Sequence, residues 1–264
     1  VSLYFDNKKK SKLIGCLLSK PFEGRIYNKK INLYLFDFMC KNKHQKDDVF
    51  FELLYTHFKR QLEFNNKIFL FRSITPIEIS TSLVQYNSFL YSIKFFPKKI
   101  KSNVKNVQFV RIHSGNYRLF MKIFYDLYDE FDCFLHLNLS HLMYLCDQKI
   151  YFITLILQDN YKVLACYFFK NTFSVYKQKR IITLLGSYKT FDKEQLFLDG
   201  FYNSIILIYE NLKINYVMIY DLGLNHYILD DVKKYKERKI FKNYYYYYNY
   251  LDCYFKKNQV LFLL

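Results

Sequence analysis

Tyr244-Tyr245-Tyr246-Tyr247-Tyr248-Asn249-Tyr250, followed after a short polar insert by Val260-Leu261-Phe262-Leu263-Leu264, closes the sequence. Chains usually end in a few solvated, frayed residues. Five terminal apolar residues do not suit water, because each large side chain gains roughly 1.5–3 kcal/mol on burial. If the tail is buried, the α-carboxylate of Leu264 travels inward with it, where a charge without a partner is costly. Two readings follow: an ordinary edge strand, or a carboxylate held inside the fold and available as a base.

Upstream of the tail the pattern alternates between strand and helix. Residues 12–19 and 31–40 are rich in Leu, Ile, Tyr and Phe and read as strands. Residues 47–62 open with two acids and carry apolar residues at 50, 51, 54, 58 and 62, the spacing of a helix. A short strand at 68–72 completes a strand, strand, helix, strand unit. The same order returns further along: strands at 151–157 and 163–169 joined through Gln158-Asp159-Asn160, a strand at 180–185, a helix over 192–212 and a strand at 216–220. An amphipathic helix over 115–131 and a shorter one over 139–146 lie between the two units. The repeat predicts an α/β (α+β) protein of two related halves, divided near 105/106.

Composition constrains function less than its numbers suggest. The chain has 264 residues, 28 Tyr, 28 Phe, no Trp, only 6 Gly, and a formal net charge of +17. There are seven Arg, so 33 of the 40 basic residues are Lys. This bias resembles that of an AT-rich coding sequence. A basic chain attracts nucleic acid, anionic lipid or phosphorylated ligands, but these Lys are spread along the sequence, densest at 8–10 and 98–101. Gly is too scarce for a P-loop or dinucleotide loop. The six Cys have no C-x-x-C spacing and read as reduced, cytosolic core residues. The six His form no metal-ligand pair of recognised spacing, so no metal is expected. No apolar run reaches the roughly 18 residues needed to span a bilayer, and no secretory signal opens the chain. A soluble, cytoplasmic protein is expected, and Val1 in place of Met reads as a fragment or a processed chain.

Several stretches together resemble glycylpeptide N-tetradecanoyltransferase, the N-myristoyltransferase family. The family strand E-[IV]-N-F-L-C-V-H-K is matched by Leu35-Phe36-Asp37-Phe38-Met39-Cys40-Lys41-Asn42-Lys43. Its ending, Q-Y-Y-L-Y-N-W and then an apolar V-G-L-V-L, is matched by 244–250 and 260–264. In the middle, Ser140-His141-Leu142-Met143-Tyr144 is similar to E-H-W-F-Y, and Leu164-Ala165-Cys166-Tyr167 to L-S-F-Y. Ser187-Tyr188 and Tyr220-Asp221-Leu222 follow, similar to Y-S-F-Y and A-L-D-L. Each piece alone is weak; their shared order over the whole chain is what carries the resemblance. It covers roughly the last two-thirds of the family's catalytic region.

The resemblance implies two GNAT-like (acyl-CoA N-acyltransferase) halves, mixed sheets flanked by helices, with the first half incomplete. Residues 1–105 would be the remainder of the acyl-CoA half, and 106–264 the peptide half, its tail returning to the active site. The implied reaction moves a myristoyl group from myristoyl-CoA, a co-substrate and not a resident cofactor, to the N-terminal glycine of a protein. The base would be the terminal carboxylate of Leu264, and the oxyanion donors the backbone amides of Phe38 and Met39. Acyl-CoA contacts are implied for Phe38, Met39, Cys40, Lys41, Asp47, Val49 and Phe50, and peptide contacts for Tyr86, Ser88 and Tyr188. The implied protein is a monomer with N-terminal-glycine proteins or nascent peptides as partners, and no DNA. Alternatives are a degenerate or truncated homologue without activity, or a lysine-rich RNA-binding or organellar protein.

Three family features are altered. Gln45-Lys46-Asp47-Asp48 replaces a basic R-S-K-R turn that binds CoA phosphates. Lys239-Ile240-Phe241-Lys242 replaces the glycine-rich K-F-G-x-G-D-G loop, with its acid for a basic peptide side chain. Of a Y-W-H peptide motif only Tyr86 is kept in Tyr86-Asn87-Ser88. Two carboxylates at a helix N-terminus compete with phosphate for the same amides. Asp47→Ser with Asp48→Lys is therefore expected to tighten CoA-ester binding several-fold, at about 0.3–1 kcal/mol per charge. Titration calorimetry with myristoyl-CoA checks this; an unchanged affinity would mean that phosphate does not sit there.

Overall fold

The computed structural model describes residues 2–5, 12–27, 29–41, 48–63, 68–74, 76, 81–98, 106–235, 237–248 and 254–264. The first part contains strands β1 (Ser2–Phe5), β2 (Leu13–Ile26) and β3 (Lys29–Lys41), helix α1 (Asp48–Glu63), and strands β4 (Phe69–Ser73) and β5 (Val84–Ser92). There follow β6 (Val107–Arg111), α2 (Tyr117–Glu130), β7 (Cys133–His136), α3 (Leu139–Asp147), β8 (Tyr151–Gln158) and β9 (Lys162–Lys170). The chain continues with β10 (Val175–Tyr176), β11 (Lys179–Lys189), α4 (Glu194–Leu212), β12 (Tyr216–Tyr220), α5 (Asn225–Val232), β13 (Glu237–Tyr248) and β14 (Val260–Leu263). The strands form a mixed sheet in the order β14-β7-β2-β3-β4-β13-β5-β12-β11-β9-β8-β6, with β1 beside β2 and β10 beside β11. This is the mixed α/β architecture expected from the repeated unit.

Both faces of the sheet are covered at β8, β9 and β11, so these strands are buried nearly throughout, whereas β2 and β5 alternate along part of their length. In β8, Ile153, Leu155 and Leu157 pack into one core with Phe120, Ile123, Phe124 and Leu127 of α2 and with the terminal residues 260–264. Phe152 and Ile156 point the other way, into a second core with Leu196, Phe197, Phe201 and Ile205 of α4. The four buried α2 residues fall at the 3–4 spacing that made this helix legible.

The two halves are built alike. β2 and β3 form an antiparallel pair, α1 crosses over, and β4 lies parallel to β3 over Tyr34–Phe36 against Phe69–Phe71. Likewise β9 and β11 are antiparallel, α4 crosses over, and β12 lies parallel to β11 over Ile181–Leu184 against Tyr216–Ile219. Each inner strand carries a bulge one residue past the end of its parallel pairing: Asp37 is the extra residue in β3, and Leu185 in β11. A bulge bends the strand and ends regular pairing. In both halves the parallel strands therefore part from this point.

Some elements differ from expectation. β2 runs on to Ile26 through Pro21, a residue that normally argues against a strand. On its outer side β2 pairs with β1 over Leu13–Leu17 and with β7 over Glu23–Ile26, and Pro21 falls in the gap between them. The Gln158-Asp159-Asn160 hairpin is a 3-10 turn over Asp159–Tyr161 with Tyr161 at φ 57°. The tyrosine run is part of a long inner strand, β13, between β4 and β5. Its Tyr residues fill both faces of the sheet, a pattern that looks like low complexity when read without pairing.

Scarce glycine leaves its mark. Eight described non-glycine residues adopt positive φ, among them Lys213 (φ 53°), the left-handed cap that ends α4. An L-residue there costs roughly 1–2 kcal/mol over glycine. Lys213→Gly is expected to raise the melting temperature by about 2–4 °C in a calorimetric scan.

The bulge in β3 is braced from α1. His57, 1% exposed, hydrogen-bonds through Nε2 to Ser19 Oγ at 2.9 Å and stands edge-on to the Phe36 ring, 5.3 Å between centroids. Ser19 pairs with Phe36, directly beside the bulge. Burial lowers the His57 pKa from 6.5 to about 4. A histidine that is neutral when folded but protonates when unfolded adds stability above pH 6.5, and that stability is lost as pH falls toward 4. His57→Gln is therefore expected to shrink the drop in folding stability between pH 7 and pH 4.5 by about 1 kcal/mol or more. Urea midpoints at the two pH values measure this, and an equal drop in both proteins would remove the role given to His57.

Candidate active site

The tail and the tyrosine strand meet. Val260–Leu263 form β14, parallel to β7, with Val260, Leu261 and Leu263 at 0% exposure and Leu264 at 6%. Phe262 stands edge-on to Tyr245 at 5.0 Å, and Tyr245 in turn stacks on Tyr86 at 5.6 Å. On its other side β14 lies against β11 just past the Leu185 bulge, where Leu261 occupies the space a side chain at Gly186 would need. The absence of a Cβ at Gly186 is what allows this approach.

Leu264 lines a cleft of about 740 Å³ together with Leu35 and Phe36 of β3, Arg72 of β4, Ser88 of β5 and Tyr220 of β12. Asn243, Phe241 and Tyr245 of β13 and Lys170 at the end of β9 complete most of the wall. Lys170 Nζ donates to the main-chain oxygen of Leu264 at 2.8 Å, and lies 5.7 Å from the centre of the Tyr151 ring. The buried Leu264 main-chain oxygen thus has a cationic donor at the cleft. Arg72 donates to the Tyr220 hydroxyl at 2.9 Å. Asn243 donates to Ser88 Oγ at 3.0 Å, which satisfies two buried polar groups in the cleft floor.

The second edge of the cleft is strand β3 at its bulge. Past Phe36, β3 continues to Lys41 while its pairing with β4 has ended. Main-chain donors that β3 presents on that side beyond Asp37 have no ladder partner among the described residues. The β3 residues that line the cleft beside Leu264 are Leu35 and Phe36, the last two before the bulge.

No protein-family profile and no curated protein matches this sequence. Solved structures do. Saccharomyces cerevisiae N-myristoyltransferase with bound myristoyl-CoA superposes with a TM-score of 0.74 at 13% identity, over 94% of this chain and 66% of that one. A second structure of that yeast enzyme with myristoyl-CoA gives 0.73 at 12% identity, over 96% and 70%. A third, with myristoyl-CoA and inhibitors, gives 0.74 at 12%, over 96% and 68%. The fold is that of N-myristoyltransferase. The chain spans about two thirds of the length of these enzymes.

Within this N-myristoyltransferase fold, the expected site residues fall in distinct places. Leu264 and Ser88 line the cleft. Phe38, Met39, Cys40 and Lys41 occupy the stretch of β3 past the bulge, and Val49 and Phe50 the first turn of α1. Asp47 lies outside the described residues. Tyr86 is 1% exposed, stacked between Tyr245 and Tyr220, and burial raises its phenol pKa well above the ordinary value. Tyr188 stands edge-on to Phe131 in the core and does not line the cleft; burial, with Glu130 and Asp126 nearby, pushes its pKa up to about 12.

Lys170, Arg72 and Asn243 were not singled out from the sequence. Lys170 ends a fully apolar strand and Arg72 is the one charge in β4, and a lone cation at a buried strand end is the signal that could have found them. Asn225, at the start of α5, is also new: it accepts from Ser187 Oγ at 2.7 Å and donates to the Tyr220 carbonyl at 2.8 Å. That pair ties the end of β11 to the end of β12 beneath the site. Among the described residues no group of His, Cys, Asp and Glu could hold a metal, and no helix is long and apolar enough to cross a membrane.

Proposed function

We propose that this protein is an acyltransferase that moves a myristoyl group from myristoyl-CoA to the N-terminal glycine of proteins. The observation that carries the proposal is the cleft lined both by Leu264 and by Leu35 and Phe36, the last residues of β3 before its bulge and the end of its pairing with β4. The fold it shares with myristoyl-CoA-bound enzymes supports the same reading.

The mechanism follows from what each group can do. An N-terminal glycine arrives as an ammonium and must lose a proton before its nitrogen attacks the thioester carbonyl. The Leu264 carboxylate is ionised and is a weak base in water, with an ordinary pKa of about 3.3–3.7. In a walled cleft its reach to the ammonium matters more than its strength, because the transferred proton does not compete with bulk water. As the nitrogen adds, charge grows on the thioester oxygen, and backbone amides of Phe38 and Met39 stabilise it. Collapse of the tetrahedral intermediate forms the amide and expels CoA thiolate, which takes up a proton. Backbone groups carry the oxyanion role, so Met39→Leu is neutral in this scheme.

Residues 1–105 serve the acyl-CoA and 106–264 the peptide. Acyl-CoA is held along Phe38–Lys41 and the start of α1 at Asp47, Val49 and Phe50, while Ser88, which lines the cleft, serves the peptide together with Tyr86 and Tyr188, which lie outside the cleft lining. The protein acts as a cytoplasmic monomer.

Lys170 adds a feature to this scheme. Its ammonium bonds the carboxylate oxygen that an acceptor ammonium also seeks. The acceptor must therefore share or displace this bond as it binds.

Appending a single glycine after Leu264 moves the carboxylate away while the apolar strand keeps its contacts. Turnover, followed as CoA release with a thiol reagent, is expected to fall at least 100-fold, with circular dichroism and melting temperature retained. Truncation of Leu263 and Leu264 is expected to lose turnover as well. A glycine-extended protein with full turnover would remove the carboxylate from the mechanism.

A further inference from the structure

Cations line the cleft: Arg72, Lys170 and Lys20. Lys239, two residues before Phe241 on the same face of β13, has its Nζ 4.6 Å from the centre of the Phe241 ring that forms part of the wall. Alternation along β13 puts residues 239, 241, 243 and 245 on one face, and Phe241, Asn243 and Tyr245 of that set line the cleft. Among the described residues lining the cleft, no side chain is acidic, and the anion present is the Leu264 carboxylate, which Lys170 already bonds. Arg72 is exposed on the cleft side and donates to a neutral phenol, the Tyr220 hydroxyl, so its charge is oriented without being neutralised by that bond.

We infer that the cleft selects acceptors carrying acidic side chains close behind the reacting N-terminal amine, and disfavours basic ones. This inference rests on the transferase reading and names its substrate class. The apolar and aromatic walls, Phe36, Phe241, Tyr220 and Tyr245, exclude water, so the field of the cations is focused along the cleft. A planar guanidinium held by Tyr220 presents its remaining N–H groups to a carboxylate, a stronger bond than a neutral acceptor gives. A lysine-bearing acceptor meets like charge from Arg72 and Lys239.

The test uses the full chain, myristoyl-CoA and N-terminal-glycine octapeptides matched in length, with two Glu, two Ser or two Lys among the third to sixth residues. The Glu peptide is expected to exceed the Lys peptide at least tenfold in kcat/KM at low salt, with the gap narrowing as salt rises. Arg72→Gln combined with Lys239→Gln is expected to cut that ratio at least threefold, whereas Arg72→Lys keeps its direction; melting curves confirm that each variant is folded. A ratio at or below one, or a ratio unchanged in the double variant, overturns the inference while leaving the transferase reading intact. Fluorescence anisotropy of the labelled peptides is measured in parallel. If no peptide is acylated, the transferase reading fails; the selectivity claim then stands on tighter binding of the Glu peptide and falls on equal or reversed binding.

Discussion

Burial of the last five residues is the constraint on which the arrangement depends. Val260–Leu264 are apolar and buried, with β14 paired to β7, the strand beside β2, and Leu261 against Gly186 of β11. Each of these side chains contributes roughly 1.5–3 kcal/mol, so the tail is held by more than any single polar contact. The Leu264 main-chain oxygen is carried inward as a consequence of that burial, and Lys170 donates to it there. Gly186, where a side chain would collide with Leu261, shows how closely β11 is shaped around the tail.

The second organising feature is the repeated bulge. Asp37 and Leu185 stand at equivalent points, each one residue past the last parallel pair with the following strand. Parting of the strands opens the sheet at both places. In the second half β14 approaches the opening with Leu261 over Gly186. In the first half the stretch of β3 past the bulge is free on the β4 side among the described residues. One opening is thus filled by β14, while the residues just before the other, Leu35 and Phe36, line the cleft. The buried His57–Ser19 bond braces the open one from α1.

Much of this was legible in the sequence, and for physical reasons. The helix over 117–130 and the strands around β8, β9, β11 and β12 declare themselves through apolar periodicity, because burial dictates it. The repeated unit followed from their order. What the sequence concealed depends on long-range pairing. Pro21 is tolerated where two partner strands of β2 leave a gap, which only the sheet order reveals. The tyrosine run belongs to β13 because β4 and β5 flank it, with Tyr245 facing the cleft and Tyr246 stacked on Phe71 behind. Lys170 and Leu264 are 94 residues apart, and no local pattern announces their bond.

The charge of the chain illustrates the same difference between composition and placement. A net charge of +17 carried mostly by Lys says little, since ammonium groups on flexible stems dispersed along a sequence form no defined site. Arg is rarer, and four of the seven direct their forks at fixed acceptors: Arg25 at the Tyr128 carbonyl and Asp129, Arg111 at the Cys146 carbonyl, Arg180 at the Leu212 carbonyl, and Arg72 at the Tyr220 hydroxyl. Arg25 is paired with a carboxylate, and Arg111 and Arg180 serve carbonyls at the ends of α3 and α4. Arg72 differs from them in facing an open cleft from a neutral partner. A guanidinium held at that point, with no acid beside it among the described residues, retains the capacity to bind an anion. That is the physical basis for assigning charge selection to this cleft and not to the lysine-rich surface.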